Sequence, residues 1–295
     1  MSPARESRAS LYAIVLVAAA LVFAAMALAT KFAAARLPGP QIAFVRFLIG
    51  LGACAVARTR VRMRANNKLG LVMRGAYGGA AVLCYFLAIA HLPVGIATLL
   101  NYTMPVFTAI YAALFLGEAI TRPTLGALSL TTVGVAMVIL GTTPAGALGF
   151  GLWQLVGLMS AMLSGAAVAT IREVRQTDGS WEIFAAFCLA GAVICAPPAV
   201  HGWVAPTARE WSILVLVGLT SVVGQLLMTY ALRYVRAAVG GIIAQLTPVT
   251  SLALGWTLFG DRIGGLALAG AVLTLAGVSV GAYLASGREA DPVDE

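Results

Sequence analysis

Charge is what this sequence has least of. Of its 295 residues only 10% are charged, whereas 61% are hydrophobic, and the mean hydropathy is +0.95. A soluble globular chain carries roughly 25% charged residues, so this one lacks the polar surface to cover itself in water. The same apolar content excludes disorder, and four Cys are too few for a disulfide-rich secreted scaffold. What remains is a polytopic membrane protein.

A helix crossing the hydrocarbon needs about 20 apolar residues, and ten such runs are present: 11–30, 42–57, 69–90, 94–116, 125–141, 152–170, 183–200, 213–232, 237–259 and 266–285. Too little chain is left for a soluble domain, so function resides in the helical bundle. The first run follows Arg5 and Arg8 and ends near Ala27-Leu28-Ala29, like a signal peptide. It is longer than the usual 7–15-residue apolar region of one, and reads as a retained helix. With the N-terminus in the cytoplasm, fourteen Lys and Arg fall on that side. Lys31, Arg36, Arg209 and Arg262 fall outside, and Arg46 falls within the second span. This positive-inside bias places both termini in the cytoplasm of an inner (plasma) membrane protein. The net charge of +8 is concentrated in the run Arg58–Lys68 between two spans, so it reads as topogenic and lipid-attracting rather than as a nucleic-acid surface.

The chain also repeats itself. "LLNYTMPVFTAIYAALFLGEAITRPTLGALSLTTVGV" around Pro105 matches "IIAQLTPVTSLALGWTLFGDRIGGLALAGAVLTLAGV" around Pro248. Aligning the prolines puts Gly117-Glu118 on Gly260-Asp261, Ile120 on Ile263 and Gly134 on Gly277. One residue of slack brings Gly126 onto Gly270. The expected organisation is a cytoplasmic tail (1–10), a first five-helix repeat (11–141), an outer linker (142–151), a second five-helix repeat (152–285) and a second cytoplasmic tail (286–295). Five is odd, so the second repeat must be inverted, an architecture common among secondary transporters that bind solute near the midplane.

The Pro-centred fourth and ninth spans ending in Gly-Glu and Gly-Asp resemble the EamA-type branch of the drug/metabolite transporter superfamily. So do Arg46 in "FVRF" and the Gly-rich "RGAYGGAAVLCYFLAIAHLPVGIATLL". The resemblance covers residues 11–285. It implies an all-α integral membrane protein of ten transmembrane helices in two inverted five-helix repeats, a transporter rather than an enzyme. The superfamily carries amino acids, sugars, nucleotide-like metabolites and drugs. The third-span pattern is similar to S-adenosylmethionine uptake proteins and amino-acid exporters.

Polar residues inside membrane helices cost free energy unless they pair or line a wet path. Tyr77 and Tyr85 share a face of span three. Asn101 and Tyr102 precede Pro105, and span eight offers Gln225, Thr229 and Tyr230. Gln245 precedes Pro248 and is the repeat counterpart of Tyr102. These eight are the expected solute-lining groups, although the mid-span amides serve equally as interhelical glue and a lone Thr tends to bond its own helix. Pro105 and Pro248 should kink their helices and act as hinges. Arg46 is expected to snorkel to the interface, with binding of a solute carboxylate as the lesser reading. Glu118 and Asp261 are expected to pair with Arg122 and Arg262 or to cap helices. Tyr12, Tyr111, Tyr234 and Tyr283 read as interfacial anchors.

No Asp, Glu or His lies mid-span, which argues against export of hydrophobic cations and for a neutral or zwitterionic solute. His91 and His201 stand singly, so no metal, cofactor or catalytic constellation is expected. The sequence reads as a secondary transporter of a small polar metabolite, an amino acid or derivative, working by alternating access as a monomer or homodimer among membrane lipids. Uptake of a nucleoside-like metabolite such as S-adenosylmethionine is the alternative, and a non-transporting receptor or structural protein the rival from another class.

Overall fold

The computed structural model describes residues 3–91, 94–142, 151–259 and 264–286, and every regular element among them is an α-helix. In chain order these are α1 (Pro3–Ala33), α2 (Gly39–Arg58), α3 (Lys68–His91), α4 (Val94–Asn101), α5 (Met104–Leu116) and α6 (Arg122–Thr142). There follow α7 (Leu152–Val174), α8 (Ser180–His201), α9 (Ala208–Ala231), α10 (Ala237–Ala244), α11 (Leu246–Phe259) and α12 (Gly265–Ser286). Seven of them, α1–α3 and α6–α9, are long and apolar enough to cross a membrane. The runs 94–116 and 237–259 each hold two short helices instead of the single kinked one expected.

Large apolar side chains point outward, among them Val56, Leu69, Leu114 and Phe115, while Ala and Gly crowd the helix contacts. That distribution suits lipid, where close backbone packing rather than hydrophobic burial joins the helices. Packing partners come in exchanged sets. Helix α3 lies on α7 as α1 lies on α9, α5 on α7 as α11 on α1, and α3 on α8 as α9 on α2. Helices of matching rank, α6 with α12 and α2 with α8, pack on each other.

The α6–α12 crossing shows the relation residue by residue. A Cβ on Gly134 would lie 2.6 Å from the Thr274 nitrogen and 2.7 Å from the Gly270 oxygen. One on Gly277 would lie 2.9 Å from the Thr131 nitrogen and 3.0 Å from the Ala127 oxygen. A single offset of 143 residues, that between Tyr102 and Gln245, carries Ala127, Thr131 and Gly134 onto Gly270, Thr274 and Gly277. Ala127 therefore matches Gly270, and the slack that paired Gly126 with it is not needed. Thr131 and Thr274 make the same bond back to their own helices, to the Ala127 carbonyl at 3.0 Å and the Gly270 carbonyl at 2.8 Å. Because early residues of each helix meet late residues of the other, α6 and α12 run antiparallel.

Both ends of the bundle are tied by polar contacts. At one end Arg36 donates from Nε to Glu210 at 2.7 Å and from Nη2 to the Ala205 carbonyl at 2.7 Å. Glu210 also closes a capping box with Thr207 that starts α9, and the Gln41 amide exchanges two hydrogen bonds with the Val204 backbone. At the other end Asp178 accepts the backbone N–H of Asn66 at 2.8 Å and of Asn67 at 3.0 Å, holding the 59–67 loop against the α7–α8 turn. Burial works against the ionised form of Asp178, but these donors and the Thr177 hydroxyl outweigh it and hold the carboxyl below its ordinary range.

The crossing generates a paired expectation. Gly134→Leu and Gly277→Leu each force backbones apart and should lower stability by about 2 kcal/mol, by similar amounts. Gly126→Leu, where an added Cβ meets nothing within 4 Å, should melt near the parent. Thermal unfolding of the purified protein in detergent reads all three.

Candidate solute site

The kinks expected at Pro105 and Pro248 are breaks. Helix α4 ends at Asn101, Tyr102 and Thr103 form a turn, and α5 restarts with Pro105 in its first turn. Helix α10 ends at Ala244, Gln245 lies in a turn, and Pro248 is the third residue of α11. A proline lacks the N–H and crowds the preceding turn, costs that vanish at the start of a helix. The two breaks meet. Gln245, fully buried, donates from Nε2 to the Tyr102 carbonyl at 2.8 Å, so the repeat counterparts are bonded directly. The Gln245 Oε1 is buried without a hydrogen-bond partner among the described residues.

Two more of the expected residues gather near these breaks. Asn101 donates from Nδ2 to the Ser160 hydroxyl of α7 at 2.6 Å, and the Tyr85 hydroxyl lies 3.1 Å from that of Thr98. Helix α7 comes close because it is small-faced there: a Cβ on Gly157 would lie 2.8 Å from Leu100, and one on Gly165 2.8 Å from the Thr108 nitrogen. Tyr77 is half-buried on α3, two turns from Tyr85 on the same side. Thr103 and Thr108 bond back to their own helices, as lone Thr residues tend to do.

Span eight divides its residues. Gln225 accepts from Arg74 Nη2 at 3.3 Å. Thr229 is buried, but its carbonyl accepts from Arg175 at 3.1 Å, toward the end of α9. Tyr230 does not join the site. It is 45% exposed, with its ring 5.8 Å from Tyr12 and 6.0 Å from Tyr234. It belongs with those rings, because an amphipathic ring near a helix end gains aromatic neighbours without losing water for its hydroxyl.

Two buried arginines adjoin the expected residues, one of them through Gln225. Arg46 does not snorkel. Its guanidinium lies 4.8 Å from the Phe47 ring centre and 6.0 Å from that of Phe187, and its Nε and Nη2 are buried without hydrogen-bond partners among the described residues. Arg74, only 3% exposed, lies 4.2 Å from the same Phe187 ring. Both are legible in the sequence as cations whose helices carry no acid. Along α3, Arg74, Tyr77 and Tyr85 share a face spanning about 16 Å, so one helix joins the arginine group to the broken-helix group.

The family model described as the EamA-like transporter family matches residues 10–140 and 151–282. The chain belongs to that family. Among its EamA-like relatives is the pseudopaline exporter of Pseudomonas aeruginosa, 30% identical over 87% of this chain and 90% of the relative. Another is a probable terminal-alkyne amino-acid exporter of Streptantibioticus cattleyicolor, 28% identical over 88% and 91%. A riboflavin transporter of Brucella anthropi is 26% identical over 83% and 88%. A solved crystal structure shares the fold with a TM-score of 0.77 at 22% identity, covering 95% of this chain and 98% of that one.

The Gly-Glu pair of this EamA-like chain has a mechanical basis. Gly117 takes the left-handed conformation (φ 66°) that ends α5, and Glu118 donates its N–H to the Ala112 carbonyl at 3.1 Å. The turn aims the Glu118 carboxylate at the start of α10, where it accepts from the Ala237 N–H at 3.2 and 3.1 Å. Its ion-pair partner is Arg172 at 3.4 Å, not the expected Arg122, and Arg172 also donates to the Leu232 and Arg233 carbonyls. The counterpart pair Gly260-Asp261, with Ile263 and Arg262, lies outside the described residues. Glu118→Gln keeps an acceptor for Ala237 but breaks the buried ion pair with Arg172. It should cost about 3 kcal/mol, visible as a lowered melting temperature in detergent.

Proposed function

We propose that this chain is a secondary transporter carrying an amino acid or amino-acid derivative out of the cell by alternating access. In this reading α4–α5 and α10–α11 are each one broken span. They complete ten spans in two inverted five-helix repeats (11–141 and 152–285) within the inner membrane, with both termini cytoplasmic. The observation that carries it is the Gln245–Tyr102 bond joining equivalent breaks of the two halves. A half-helix pair meeting its counterpart leaves polar backbone inside the bundle, which is tolerated where it lines a solute path. The antiparallel crossing of equivalent helices supports inversion, and the two stretches matched by the family model support the division into repeats. The name of one relative supports an amino-acid-like cargo, and the names of two support the outward direction. Tyr77, Tyr85, Asn101, Tyr102, Gln225, Thr229 and Gln245 are the proposed contacts or their supports, with Pro105 and Pro248 as hinge residues.

Counterflow in proteoliposomes tests this. A labelled amino acid should accumulate, and Gln245→Ala should reduce the rate roughly tenfold, the order expected for one buried hydrogen bond to a backbone carbonyl. Accumulation of S-adenosylmethionine in its place would transfer the assignment to nucleoside-like uptake. Flux untouched by the substitution would remove the broken-helix junction from the solute path.

A further inference from the structure

We propose that Arg46 and Arg74 form a binding site for solute carboxylates, an inference that rests on reading the bundle as a solute carrier. The two guanidiniums come from neighbouring helices, α2 and α3, and converge on one ring, Phe187 of α8. A guanidinium inside a membrane protein normally pairs with a carboxylate or a set of carbonyls. These two do neither. Arg46 offers Nη1 to the Met26 sulfur at 4.0 Å and leaves Nε and Nη2 buried without partners among the described residues. Arg74 gives one N–H to Gln225 and leaves Nε and Nη1 in the same condition.

Among the described residues no acid forms an ion pair with either of them. Residues 7–117 contain no Asp or Glu, nor do residues 183–209 or 211–260. Those stretches include all of α2 and α3 and the interiors of α8 and α9. Phe47 and Phe187 attract the cations through the ring faces, an interaction that leaves the N–H edges of each guanidinium free. The free donors of Arg46 are Nε and Nη2, adjacent groups on the edge that grips a planar carboxylate through two parallel bonds. Room for the second guanidinium is made by Gly78, one turn beyond Arg74. A Cβ there would collide with Nη1 of Arg74 and lie 2.7 Å from the Phe187 ring.

Two cations, four free donors and no local acid define a ligand that brings its own negative charge. The cargo is therefore a small organic anion, an acidic amino acid or a derivative with more than one carboxylate. The zwitterion expected from the lack of mid-span acids is narrowed accordingly, since an ammonium group finds no carboxylate here.

The experiment is thermal unfolding of the full chain in detergent at constant ionic strength, with L-glutamate, succinate and citrate as probes. At least one of these, at about 10 mM, should raise the melting temperature by about 3 °C, and succinamide should not. Arg46→Gln and Arg74→Gln should each abolish the rise while melting at or above the unliganded parent, because each removes an uncompensated buried charge. Gly78→Ala keeps both charges but displaces the Arg74 guanidinium, and should also lose the rise. The proposal is overturned by no shift with any of the three carboxylates, by an equal shift with chloride or phosphate, or by a shift that persists in both arginine variants. Binding is read without flux, so its failure leaves the transport reading standing. Absence of flux in liposomes likewise leaves the binding result standing.

Discussion

Hydrocarbon supplies neither a hydrogen bond nor a counter-charge, so every polar group of this chain must be satisfied from within it or by what it carries. The helices meet the first demand, and the departures from helix are instructive because each has a local answer. The break after Asn101 frees the Tyr102 carbonyl, which Gln245 claims. The left-handed stop at Gly117 delivers Glu118 to the open N–H of Ala237. The α7–α8 turn offers Asp178 to the otherwise unpaired backbone of Asn66 and Asn67. Arg46 and Arg74 stand apart because their remaining donors have no such answer among the described residues.

Much of this was legible before any coordinates. Membrane class follows from the charge deficit, and the repeat from Pro105 and Pro248 with their trailing glycines. Gly75 and Gly79, four apart on α3, lie against α8, a Cβ on each falling within 3.0 Å of α8 backbone, the close approach that small residues at that spacing permit. The Tyr102–Gln245 pairing was read from alignment alone. Only the geometry adds that the amide reaches a main-chain oxygen rather than the tyrosine ring.

The misreadings share a cause: helical periodicity gives the face of a residue but not what the neighbouring helix puts opposite it. Tyr230 sits one residue from buried Thr229, yet it faces Tyr12 of α1 rather than the interior. Arg46 is near enough to a helix end to reach water in isolation, but Phe47 and Phe187 hold it inward. Glu118 caps the start of α10, one of its two expected roles, but its ion pair is with Arg172 across the chain rather than with Arg122 four residues on. In each case a contact distant in sequence overrode a plausible local one.

The junction of the two breaks has a further consequence for symmetry. The α6–α12 crossing is nearly self-complementary, so swapping the roles of the halves would change little there. The Gln245–Tyr102 bond cannot be swapped, because a tyrosine at the mirrored position has no amide to offer the opposite main chain. A structure in which each half adopted the other's conformation would forfeit that bond, worth about 1 kcal/mol. An otherwise even exchange would thereby settle several-fold in favour of one side. If the halves do exchange conformations, a single residue that its duplicate does not share would set which arrangement is preferred at rest.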